Sequence, residues 1–162
     1  MRLWDFALDY YRRDGVAAAC LALQDQGDVD VNVLIHAIWR AAIRGEAIAQ
    51  GDVADADASV AAWRQSIVLP LRALRRRLKT GPPPAPGEVT EKLRGRIKAA
   101  ELDAEHIELD TLEAMTPERS SSADASDARQ STRTAVLHVL EHFAPGRSAS
   151  LSHAVEALVE AI

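Results

Sequence analysis

The sequence predicts an all-α protein, a helical bundle of six to seven helices interrupted by one proline-rich spacer. Apolar residues recur every three to four positions in nearly every segment, and strand-like alternation is almost absent. The apolar 48% of the chain is dominated by Ala and Leu, which lose little side-chain freedom in a helix, with few of the β-branched and aromatic residues that sheets favour. At 162 residues the chain is long enough to bury a core without staples.

Residues 3–13 place Leu3, Phe6, Ala7, Tyr10 and Tyr11 on one stripe, and Gly15 ends that element. Residues 16–25 continue with Val16, Ala19, Cys20 and Leu23 until Gly27-Asp28. The third helix, 29–44, is the most apolar, with Val31, Leu34, Ile35, Ile38, Trp39 and Ala42 around more than half of it, which predicts the central helix. A Gly/Asp-rich loop is expected from Gly45 to Asp57. A long helix over 57–79 should follow, kinked at Pro70, which lacks a backbone donor.

Residues 81–87 hold four prolines and read as an extended spacer between an N-terminal helical core, 1–80, and a C-terminal helical segment, 88–162, that packs on the core or on a second subunit. In 88–115, Leu93, Ile97, Ala100, Ala104, Ile107 and Thr111 follow a weak heptad seam, which leaves homodimerisation open. The Ser/Ala/Asp-rich stretch 117–130 reads as a mobile loop. Helices over 131–143 and 150–161 close the chain, the last capped by Ser150 or Ser152.

Charge narrows the classes of partner. The formal charge is −5, but residues 1–80 carry a net +1 and residues 81–162 a net −6, so any attraction for nucleic acid must come from a patch in the first half. The single cysteine, Cys20, excludes an internal disulfide and lies on an apolar stripe, as a buried inert thiol would. No apolar run approaches the roughly 20 residues that span a bilayer, and charge interrupts the N-terminus before a signal-peptide core forms. These features predict a cytoplasmic protein with no membrane partner.

Three clusters compete as sites. His138, Glu141 and His142 match an inverted zinc-protease pattern, but Val136, Val139, Leu140 and Phe143 occupy the opposite face, so a solvated surface is the reading that demands less. The strip Asn32, His36 and Arg40 interrupts an otherwise buried helix: it is the helix's wet edge, with Asp28 or Asp30 as its cap, or a proton-transfer group in a cleft. Arg72, Arg75, Arg76, Arg77 and Lys79, with Arg64 on the same side, form a basic stripe that would bind phosphate or pair with Glu101, Glu105 and Glu108. No glycine phosphate loop and no Gly-x-Ser-x-Gly elbow calls for a cofactor or a nucleophilic enzyme.

Leu3-Trp4-Asp5-Phe6-Ala7-Leu8 with Tyr10, Cys20-Leu21-Ala22-Leu23-Gln24-Asp25, Asp30-Val31-Asn32 leading to Trp39, and Trp63-Arg64 with Pro70-Leu71-Arg72 and Arg75-Arg76 together resemble an uncharacterised conserved family of small proteobacterial proteins. The resemblance covers about residues 3–79 and implies a helical fold but no activity. Its polar positions imply a pocket formed by Gln24, Asp25, Asp30, Asn32, Arg64 and Arg72 and floored by Trp39 and Trp63. The leading expectation is a non-catalytic binding or interaction module, with a regulatory role among its options. Gln24, Asp25, Asn32, His36, Trp39, Trp63, Arg64, Arg72, Arg75 and Arg76 would meet a protein partner or a small anion. Nucleic acid on helix 64–79, and an enzyme or metal protein using His36 or His138/His142, are the alternatives.

Overall fold

The computed structural model describes residues 1–117 and 125–162, and the side chains of all of these except 125–127. Among the described residues it is all-helical: α1 (Leu3–Tyr11), α2 (Val16–Gly27), α3 (Val31–Ala42), α4 (Gln50–Trp63), a π-helical turn (Arg64–Val68), α5 (Leu69–Arg77), α6 (Glu88–Met115), α7 (Ala125–Phe143) and α8 (Ser152–Glu160). Because α4, the π turn and α5 form one continuous rod, the described residues make seven rods.

Amphipathic stripes set the packing. On α3, 8 of 12 residues are buried, and the helix lies along α7, while α2 packs on α8. Leu3, Phe6, Tyr10, Leu23, Leu34, Ile38, Leu112, Val136, Leu140 and Leu158 belong to one hydrophobic cluster that draws on both ends of the chain. Full burial of each such side chain contributes about 1.5–3 kcal/mol. Gly15, at φ 80, supplies the left-handed turn that folds α2 back from α1. Asp30 caps α3 by accepting from the Val33 amide at 2.9 Å. Cys20 is buried, and that burial pushes its thiol up to about 11, so it stays protonated.

Several expectations are corrected. The loop expected from Gly45 to Asp57 ends early, because α4 starts at Gln50, where the Asp52 side chain accepts from the Ala49 amide at 2.8 Å. At Pro70 the expected irregularity takes the form of a π turn just before it, in which the Leu69 amide reaches back to the Arg64 carbonyl. Residues 81–87 are a compact turn, not an extended spacer: the Ala85 amide donates to the Pro82 carbonyl at 2.9 Å, and α6 folds back along α5. Of the loop expected over 117–130, residues 125–130 are the first turns of α7, and 118–124 lie outside the described residues. Leu151, without a side-chain hydrogen bond, holds the cap position of α8 in place of the expected serines.

The heptad seam on α6 is also displaced. The residues the helix buries are Glu101, Ala104, Glu108, Leu109 and Leu112, whereas Leu93 and Ile107 are about half exposed. Arg72 and Arg75 of α5 hold Glu101 inward, and Glu108, two turns on along the same face, points inward without such a partner. An apolar-only count of the pattern misses this.

Candidate ligand cavity

The ends of α2 and α3, the outer face of α1, the π turn, α5 and the middle of α6 enclose a cavity of about 680 Å³. Its apolar wall includes Trp4, Leu8, Tyr11, Val68, Leu69 and Leu102. Its polar wall is formed by Gln24, Asp25, Asp28, Asp30 and Asn32 on one side and by Arg64, Arg72, Arg76, Glu105 and Glu108 on the other. Three of these positions stand at a local break in regular helix. Asp28 ends α2 in the left-handed region at φ 49, Asp30 is the cap of α3, and Arg64 opens the π turn.

Inside this wall most charges are already paired. Arg64 donates to Asp30 at 3.0 Å and to Asp57 at 2.7 Å, and the other Asp57 oxygen lies 2.9 Å from Nε2 of His142. Arg72 donates to Glu101 at 3.1 Å and to Glu105 at 2.6 Å, and Arg75 grips the same Glu101 with two nitrogens. Burial pushes the Glu101 carboxyl up, but hydrogen bonds from Arg75 and Arg72 more than reverse this and leave it below its ordinary range. At Glu105 burial wins over Arg72, and the carboxyl is raised.

Glu108 breaks the pattern. It is 1% exposed, and neither carboxyl oxygen has a hydrogen-bond partner among the described residues. Burial, reinforced by the neighbouring Asp30 carboxylate, raises its carboxyl well above the ordinary range against the opposing pull of Asn32 and Arg64. The expectation that Glu108 pairs with the basic stripe therefore fails, because Arg72 and Arg75 are taken by Glu101 and Glu105, and Arg64 by Asp30 and Asp57.

Of the ten residues singled out from sequence, Gln24, Asp25, Asn32, Arg64, Arg72 and Arg76 line this cavity, and His36, Trp39, Trp63 and Arg75 do not. Trp39 is buried and donates to the Met1 carbonyl at 3.2 Å, and Trp63 donates to the Ala104 carbonyl at 3.0 Å. Both tryptophans tie elements together, so the expected floor is corrected: the tryptophan in the wall is Trp4, stacked on His106 with ring centroids 3.9 Å apart. The strip Asn32, His36 and Arg40 divides among three environments. Asn32 meets the cavity, Arg40 pairs with Glu46 and Asp52, and His36 is buried with Nε2 2.8 Å from the Thr116 hydroxyl. Burial, with Arg40 beside it, lowers the His36 imidazole to about 4.

The α7 histidines are half-buried, not solvated. Nδ1 of His138 lies 2.8 Å from the Ile48 carbonyl and His142 meets Asp57, so each turns to a separate partner on the chain before or within α4. Among the described residues, no three His, Cys, Asp or Glu side chains converge to hold a metal ion. Nor is any described helix long and apolar enough to cross a membrane.

A family profile described as "Protein of unknown function (DUF2390)" matches residues 2–112, more than half of the chain. The chain belongs to this family. The match runs beyond the resembling segment 3–79, through the turn at 81–87 and into α6 as far as Leu112, so every residue that lines the cavity falls within the family's span. No curated protein and no solved structure matches the chain.

Proposed function

We propose that the chain is a non-catalytic binding module that holds a small organic molecule in this cavity. The observation that carries the reading is the cavity itself. Its volume falls within the roughly 300–1,000 Å³ typical of small-molecule sites, and an apolar wall opposes a few polar groups fixed by ion pairs. Preorganised polar groups lower the ordering cost of binding. No His, Cys, Ser or Lys stands among its lining residues, which favours binding over nucleophilic or histidine-based chemistry. The basic stripe supports nucleic-acid binding less well, because Arg72 and Arg75 are already spent on glutamates that neutralise them toward phosphate.

Native mass spectrometry of the full chain after incubation with a small-molecule cell extract tests the reading. The wild type is expected to retain a low-mass species that Leu102→Trp, which places a large ring in the half-exposed part of the wall, does not. Retention of nothing, or equal retention by the variant, contradicts it.

A further inference from the structure

We propose that the ligand presents a cationic hydrogen-bond donor, a protonated amine on a compact apolar body, to Glu108. The inference rests on the cavity being a small-molecule site and names the chemistry that site selects. Asp30, Arg64, Arg72 and Glu105 all have partners, and Gln24, Asp28 and Asn32 reach water, so Glu108 is the buried acceptor left over in the cavity wall. A buried polar group without a partner costs about 1–3 kcal/mol, a cost that a ligand donor removes.

The sign of the surroundings agrees. The lining holds five carboxyl groups against three arginines, and each of those arginines is already paired with a carboxylate. A cavity with an acidic surplus attracts cations and repels anions, so the expected small anion gives way to a cation. The apolar body is accommodated by Trp4, Leu8, Tyr11 and Leu102, which bring two aromatic rings to the same space. Both Glu108 oxygens are shielded in the free chain, so the side chain turns toward the cavity as the donor arrives.

The test uses the tryptophan side chains of the full-length protein as reporters. Of the three indole N–H resonances, Trp4 belongs to the cavity wall, whereas Trp39 and Trp63 point at backbone carbonyls elsewhere. Benzylamine, benzyl alcohol and benzoate are titrated in turn, with Trp4→Phe assigning the signal. Benzylamine is expected to move the Trp4 resonance with an affinity about tenfold or more above the other two. Glu108→Gln, which keeps the shape but cannot give up a proton to become the ammonium's counter-charge, is expected to bring benzylamine down to the level of benzyl alcohol, with the Trp39 and Trp63 signals in place as the check on folding. Equal response to all three probes, or undiminished benzylamine binding by Glu108→Gln, overturns the cation and leaves the cavity a small-molecule site. Silence of Trp4 toward every probe overturns both.

Discussion

The aliphatic core and the α5–α6 hairpin hold together by different means. Around α3 the contacts are Leu, Ile, Val and Phe side chains withdrawn from water, joined by a few buried polar bonds such as that from the Tyr10 hydroxyl to the Leu158 carbonyl. On α5 no residue is buried, and the first half of α6 buries none before Glu101; the hairpin is held by Arg72 and Arg75 on Glu101 and Glu105. Hydrophobic burial is non-directional and indifferent to modest salt, whereas a partly exposed ion-pair seam is directional and screened. The difference teaches where the protein has room for a ligand. The cavity opens at the seam, where helices held apart by long charged side chains do not close as tightly as aliphatic ones.

The largest expected effect tests the core. Leu34→Ala should lower unfolding stability by about 2–5 kcal/mol, read as an earlier urea midpoint, with little change in the deficit when salt is added. Next comes acid. The unfolded chain protonates a histidine near the ordinary value of 6.5, while buried His36 resists until about 4. Stability carried by neutral His36 is therefore intact above pH 6.5 and is lost as pH falls through 4, by about 3 kcal/mol in all. His36→Gln, measured in the same denaturation series, should flatten that limb.

Smaller again is Glu101→Gln, which strips both arginines of their shared carboxylate. A loss of about 1–2 kcal/mol that shrinks in high salt is expected, since the Arg72 and Arg75 side chains are 19% and 25% exposed. A salt-independent loss would show that the seam is held by packing. The last effect carries the opposite sign. Because the Glu108 carboxyl is raised in the folded chain, its stabilising protonated form is fully present below the ordinary carboxyl value and is lost as pH rises through the elevated one. Glu108→Gln should match or slightly exceed wild type above neutrality, and its thermal midpoint should vary less across that range.

The sequence makes the dry half of this comparison legible and the charged half only partly so. Leu3, Phe6, Leu23, Leu34 and Ile38 announce buried stripes by spacing alone, and Asp30 stands where a cap must stand. Pairing of the basic stripe with Glu101 and Glu105 is legible because opposite charges in neighbouring helices seek each other. The rotation of α6 is not, because hydrophobic periodicity ignores an inward glutamate whose partner lies on another helix. Nor does the α7 pattern reveal that His138 and His142 meet the Ile48 carbonyl and Asp57, since those partners lie 90 and 85 residues away. Six cavity-lining residues stand out among the polar positions of the family resemblance and the basic stripe, whereas Trp4 belongs to neither set nor to the apolar stripe of α1.

A crystal structure of the full chain with benzylamine tests the central claim most directly. The account predicts the ring against Trp4 and Tyr11, with the ammonium nitrogen within hydrogen-bond distance of a Glu108 carboxyl oxygen that has swung into the cavity. A ring bound elsewhere on the surface, or an ammonium group turned away from a Glu108 still shielded and without a partner, contradicts it.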